Sequence, residues 1–225
     1  MRHEVAIDDF IITSDNSAGI GEKEQDVIYV SNTLTAKFAA RVALLEQWAA
    51  GSTPQAVLVH NFSGASSWDA YVAGITELFT EAQTTLPSIS GSTETNMLTQ
   101  QSGIAITMIG KQQKKPINAE LLCWSVYGVP LVGEQVIVNA EQVANMKLLK
   151  KALDSSLIER IWPVGSKGIQ QEFQSLMDRP VEISTALDVN CSGGPATCVL
   201  VGVLPRNLER IQRDFGKHLY SISTS

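Results

Sequence analysis

The segment Lys111-Gln-Gln-Lys-Lys-Pro116 divides this chain. It is polar and basic, and it ends in a proline that lacks a backbone donor and disfavours helix in the residue before it. No helix or central strand is expected to run through it. Strand-like and helix-like apolar patterns alternate on both sides of the break. With 225 residues there is room for two modest domains. The reading is an α+β protein with domains at residues 1–112 and 116–225.

Before the break, β-branched and aromatic enrichment predicts strands at Asp9–Ser14, Val27–Ser31, Gln55–His60 and Ile104–Ile109. A helix is predicted from Thr35 to Ala50, with Phe38, Val42, Leu45 and Ala49 on one face and Gly51 as terminator. Ser66 or Ser67 caps a second helix, whose Trp68, Tyr71, Val72, Ile75, Leu78 and Phe79 recur at helical spacing. After the break, strands are predicted near Ala119–Val126, Gln135–Val138, Leu157–Trp162 and Cys198–Leu204. Helices are predicted at Glu141–Leu153, Gly168–Met177 and Pro205–Phe215, the last with proline at its favoured first position.

Composition narrows the function classes. The chain is 44% hydrophobic and 18% charged, with no apolar run of the ~20 residues a membrane helix needs. No apolar core of signal-peptide length follows Met1-Arg-His-Glu4, so no signal peptide is expected. Cys123, Cys191 and Cys198 are odd in number and lack zinc-knuckle spacing, which predicts reduced thiols in a cytoplasmic protein. The formal net charge is -6, and residues 1–115 hold 12 acids against 7 Lys and Arg. Such an acidic half argues against nucleic acid, whose binding rests on Lys and Arg neutralising phosphates. It suits recruitment of a metal ion.

Two stretches in that half carry the chemistry, Asp15-Asn-Ser-Ala-Gly-Ile-Gly21 and Ser90-Gly-Ser-Thr-Glu-Thr-Asn96. Each reads as a small-residue turn with one carboxylate. Gly19, Gly21, Gly91, Ser92, Thr93, Thr95 and Asn96 let backbone amides and hydroxyls approach an anion closely. A carboxylate beside such a turn repels phosphate unless a divalent cation intervenes, and Mg2+ bridges one or two carboxylates to phosphate oxygens. Asp15, at the end of a predicted strand, and Glu94 are therefore candidate metal ligands, or else residues chosen for turn propensity. Lys23 either meets phosphate charge or pairs with Glu22, Glu24 and Asp26 around it. Glu46 flanks the apolar face of its helix, where it reaches solvent or points into a cleft. His3, His60 and His218 are scattered outside any nucleophile pattern, and no Gly-x-x-x-x-Gly-Lys-Ser/Thr loop exists.

The order Asp15…Gly19-x-Gly21, a helix closing in Glu46…Gly51-Ser-Thr-Pro54, Gly91-Ser-Thr-Glu-Thr95 and Ile106-Thr-Met-Ile-Gly110 resembles one superfamily. It is that of aminoimidazole ribonucleotide synthase, thiamine-monophosphate kinase, selenophosphate synthetase and the hydrogenase-maturation ATPase. Ser192-Gly-Gly194 followed by Val199-Leu-Val201 is similar to its late glycine turn and strand. Asp15–Glu24, Ala40–Glu46, Gly91–Asn96 and Gly194–Thr197 look closest to the alpha-ribazole kinase branch. The resemblance implies a two-domain α+β fold with mixed sheets, helices on one face, and N-terminal domains pairing in a homodimer. It also implies that ATP and Mg2+ bind against Asp15, Glu46 and Glu94. Departures lie in the second half. Pro163-Val-Gly-Ser-Lys-Gly168 stands where relatives carry an Asp-x-Thr-x-Gly-Gly motif, and Pro195-Ala196 where the kinase relative carries acids.

Two functions follow as expectations. The first is an ATP- and Mg2+-dependent kinase of a small nucleoside-like alcohol, most concretely alpha-ribazole in corrinoid salvage, or of another small substrate such as thiamine monophosphate. The second is a non-catalytic nucleotide- or metabolite-binding protein that keeps the fold. Phosphoryl transfer rests on positioning and charge neutralisation, so a sparse set of catalytic side chains suits the first.

Overall fold

The computed structural model describes residues 4–224; His3 lies outside them. They form two compact units, one ending at Lys114 and the other beginning at Lys115.

In the first unit, β1 (Val5–Ile7), β2 (Phe10–Ala18), β5 (Ser52–Asn61), β6 (Ser88–Thr93) and β7 (Gly103–Gln112) form one sheet in the order β1-β2-β7-β5-β6. Its pairings are antiparallel except β5 with β6, which run parallel across the crossover helix α2 (Trp68–Glu81). A short parallel ladder joins β3 (Ile20–Gly21) to β4 (Ile28–Tyr29) ahead of helix α1 (Asn32–Ala49). Alternation sorts the sheet into two faces. Ile11, Thr13, Val57, Val59, Ile104, Ile106 and Met108 are buried on the side that α1 covers. On the other side lie Val5 and Ile7, each 54% exposed, and Phe10, 45% exposed.

The α1 helix begins where the Ser31 hydroxyl accepts the Leu34 amide at 3.2 Å. Its Ala36, Ala39, Ala40 and Ala43 are buried, and small side chains let its backbone approach the sheet: the Thr13 hydroxyl donates to the Ala43 carbonyl at 2.8 Å. The α2 helix packs on α1 rather than on the sheet, so α1 is buried on both sides. Each fully buried Leu there stabilises by about 1.5–3 kcal/mol.

The second unit holds β8 (Cys123–Tyr127), α3 (Gln135–Val138), α4 (Met146–Asp154), β9 (Arg160–Pro163), α5 (Gly168–Met177), β10 (Ile183–Ser184), β11 (Val199–Val203), α6 (Leu208–Phe215), β12 (Leu219–Ser221) and β13 (Ser223–Thr224). Its main sheet is antiparallel in the order β12-β8-β11-β9. Trp124, Val126, Trp162 and Leu200 pack with Ile169, Phe173 and Leu176 of α5 in one core. On the opposite face Tyr127 meets Phe215 of α6 edge-on at 4.6 Å. With both faces covered, β11 is buried along its whole length, which matches its unbroken apolar sequence. Among the described residues no helix is long and apolar enough to cross a membrane.

Four expectations need correction. Asp15 is inside β2, opposite Ile106, rather than at a strand end. Ser90–Thr93 belong to the edge strand β6, so only Glu94–Asn96 of that stretch is turn. Gln135–Val138 is a helical turn rather than a strand: the Val138 and Asn139 amides bond back to Glu134 and Gln135, and only Val136 is buried. The helix expected from Glu141 starts at Met146, because the Ala144 amide is held by the Thr197 carbonyl and Asn145 caps the next turn at 2.9 Å.

Candidate functional site

At one end of the first sheet, β2 stops at Ala18, β5 at Asn61 and β6 at Thr93, while β7 starts at Gly103. The register pairs Ala18 with Gly103 and Asn61 with both Thr93 and Ile104, so the segments 19–31, 62–67 and 94–102 converge there. The Gly19–Gly21 turn there meets Gln101 and Ser102 just before β7, whereas Ser90–Asn96 lies on and beyond β6, with β5 and β7 between it and β2. Gly19 donates its amide to the Ser102 carbonyl at 2.9 Å. A Cβ on Gly21 would stand 2.4 Å from the Ser102 hydroxyl oxygen, so only glycine lets the turn close against this serine. The Gln101 amide group donates to the Gln25 carbonyl at 2.7 Å.

Asp26 fastens the two segments. One carboxylate oxygen accepts the Ser102 amide at 2.7 Å, and the other accepts the Ser102 hydroxyl at 2.7 Å and the Lys23 amide at 2.9 Å. Partial burial would raise the Asp26 pKa, but the bonds from Ser102 and Lys23 outweigh it and hold it below the ordinary value. Beneath, Ser63 takes the Gly103 amide at 2.9 Å and shares a hydrogen bond with the Tyr71 hydroxyl at 2.6 Å. Burial pushes the Tyr71 pKa up, with smaller contributions from Asp26 and Glu22. Asp26 and Ser102 belong to no motif; an acid flanked by turn residues is the only sequence signal for the first, and none marks the second.

The expected site residues fall into place unequally. The Lys23 ammonium donates to the carbonyl of Thr99 at 2.7 Å and to its hydroxyl at 2.5 Å, so it braces the 94–102 segment. The Glu94 carboxylate accepts the Asn96 and Met97 amides at 2.7 and 3.1 Å. Thr95 and Asn96 are exposed beside it, and the Thr93 hydroxyl accepts from Asn61 at 3.3 Å. Gly91 and Ser92 are exposed on β6, and a Cβ on Gly91 would come within 2.0 Å of the Val59 carbonyl oxygen. Close strand packing is thus one reason for glycine there.

The three expected metal ligands are spread out. Glu94 is in the loop cluster. Asp15 lies three residues back along β2 from Ala18, about 10 Å away at strand rise. It shares the α1-facing side with Thr13, toward a turn of α1 before Ala43. Glu46 is 4% exposed, and 14 residues of helix separate it from Asn32 at the cluster, about 21 Å. Glu46 and Glu94 therefore do not share one ion within a single chain. Among the described residues no group of three or more His, Cys, Asp or Glu side chains is gathered to hold a metal. The register runs from Asp15 through Ile106 and Val59 to Gly91, three strands away, and Glu94 lies three residues further on, so Asp15 and Glu94 do not share one ion within a single chain either. Mg2+ takes as few as one carboxylate beside phosphates, which Glu94 alone would meet.

In the second unit the late glycine turn is built into the fold. Gly193 donates its amide to Gly165, and the Thr197 hydroxyl donates to Val129 while accepting the Leu131 amide. Beside the Pro163–Gly168 segment, the buried Glu172 of α5 accepts from the Gly165 amide at 3.3 Å and the Trp162 indole at 2.9 Å. Cys123, Cys191 and Cys198 form no disulfide, and His60 is exposed on the face away from α1.

Known structures share this architecture. The fold is that of the aminoimidazole ribonucleotide synthase-like proteins. Hydrogenase maturation protein HypE aligns with a TM-score of 0.64 at 10% identity, covering 94% of this chain and 79% of its own. Thiamine monophosphate kinase from Aquifex aeolicus gives 0.63 at 10% identity, over 95% of this chain and 84% of the kinase. PurL from T. maritima, complexed with ATP, gives 0.60 at 12% identity, over 97% of this chain but 41% of PurL. No family model and no curated protein matches the chain.

Proposed function

We propose that this protein is an ATP- and Mg2+-dependent kinase of a small molecule, with alpha-ribazole the most concrete acceptor. The observation that carries the reading is the meeting of the Gly19–Gly21 turn and the 94–102 segment at the end of one sheet. Gly19 and Gly21 are buried in this contact, and on the 94–102 side the hydroxyl side chains of Thr93 and Thr95 stand beside Glu94. Structures of the same fold solved with ATP, and thiamine monophosphate kinase solved with AMPPCP and TMP, support nucleotide as the ligand class. When bound, Mg2+ would neutralise phosphate charge beside Glu94; Asp15, three strands away in the sheet, is a separate candidate. Lys23, committed to Thr99, shapes the loop and is not needed as a phosphate ligand.

The apolar sheet face carrying Val5, Ile7, Phe10 and Ile12 supports a homodimer formed through the first unit. An open face of this kind is a docking surface, and a second copy would cover it.

A second reading has its own support. Glu22, Asp26 and Glu94 each accept a backbone amide within the loop cluster, as turn carboxylates do. That arrangement also suits a nucleotide binder without catalysis. Calorimetry of ATP binding with and without Mg2+ separates the two, followed by an ADP-release screen over alpha-ribazole, hydroxymethylpyrimidine phosphate, thiamine phosphate and aminoimidazole compounds. Metal-dependent binding with acceptor-dependent ADP release supports the kinase. Metal-independent binding without ADP release supports the binder, and no ATP binding at all removes both.

A further inference from the structure

The segment between Gly21 and Asn32 has only the two-residue strand β4 as regular structure. Its position against residues 99–102 therefore depends on side chains. Lys23 and Gln101 are long, and each holds its partner through one flexible end. Asp26 and Ser102 are short and make a two-point contact. Ser102, 2% exposed, directs every polar group it has at the opposing turn: its amide and hydroxyl at Asp26, its carbonyl at the Gly19 amide. A bare carboxylate beside a phosphate site would repel the ligand, but here three donors from the protein itself surround it.

We propose that Asp26 is the positioning residue of the candidate nucleotide site, acting through Ser102 to hold the Gly19–Gly21 turn and the 94–102 segment as one preformed surface. This rests on the nucleotide reading of that surface. Removing the clamp lets the two segments move apart, and a ligand must then reorder them on binding. Asp26 needs no contact with the nucleotide to control its affinity.

The test uses the full chain with Asp26→Ala, Ser102→Ala and the double variant. MgATP affinity is measured by calorimetry, and amide hydrogen exchange of residues 19–21 and 94–102 is measured without nucleotide. Each single variant is expected to weaken MgATP binding by about tenfold, the scale for losing a partner that supports a site from behind. The double variant should match Asp26→Ala, because the hydroxyl bond that Ser102→Ala removes is one of the three that Asp26→Ala removes. Exchange should quicken in both segments in either variant, and Ser102→Thr should restore most of the affinity. Additive losses, or unchanged exchange in 94–102 when Asp26 is truncated, would overturn the proposal. If the parent protein binds no MgATP while exchange shows the coupling, the nucleotide reading has failed and the clamp is structural only. If Asp26→Ala does not fold, Ser102→Ala, which keeps the carbonyl bond to Gly19, decides alone.

Discussion

Asp26 and Ser102 stand 76 positions apart in the chain, yet both donors of Ser102 end on the Asp26 carboxylate at 2.7 Å. The carboxylate is thus worth more ionised in the folded state than in the unfolded chain.

That difference fixes a pH dependence. The Asp26 carboxyl titrates below the ordinary aspartate range in the folded state, so the stabilisation is fully present above that range and is lost as pH falls through the folded pKa. The difference in Tm between the parent and Asp26→Asn should hold steady from about pH 7 to pH 5 and close as acid protonates Asp26. A difference that persists unchanged to about pH 2 would show that the carboxylate charge contributes nothing.

Glu94→Gln keeps an oxygen to accept the Asn96 and Met97 amides and removes the charge. Thermal stability should stay close to the parent while MgATP turnover falls by about a hundredfold, as for loss of one charge-stabilising group. Turnover within a few-fold of the parent would leave Glu94 a turn residue only.

Asp15→Asn tests the deeper carboxylate, held inside β2 opposite Ile106. The substitution conserves shape, so the sheet should form. Turnover should fall by about a hundredfold and need more Mg2+ to saturate. A Mg2+ titration that superimposes on the parent curve removes Asp15 from the site.

Gly91→Ala places a methyl 2.0 Å from the Val59 carbonyl oxygen. Backbone cannot yield as a flexible side chain would, so urea unfolding should show a loss of about 1–3 kcal/mol, typical of overpacking. No loss would mean that β6 is free to shift away from β5.

The open sheet face predicts the oligomer. Ile7→Glu with Phe10→Glu puts two charges among side chains that are 54% and 45% exposed in the single chain. Sedimentation should show a dimer of the parent and a monomer of the variant. A parent that sediments at 24.4 kDa at micromolar concentration removes the dimer.

Thiamine monophosphate kinase and HypE share the fold at 10% identity. Helix α5 runs from Gly168 to Met177, as its periodicity predicts, and α2 covers the apolar spacing from Trp68 to Phe79. These features were legible because apolar spacing acts between side chains within a few residues of one another. The placing of Asp15 and Ser90–Thr93 in strands was not: Ser-Asp-Asn-Ser and Ser-Gly-Ser-Thr carry no apolar alternation, and neighbouring β7 and β5 supply their hydrogen bonds. Sequence alone also determined that two small-residue, acid-bearing stretches exist. Tertiary structure decided that Lys23 binds Thr99, that Asp26 binds Ser102, and that Glu46 stands a helix length from Glu94. A carboxylate's partner depends on which distant donor the sheet register brings within about 3 Å, and no local pattern carries that information.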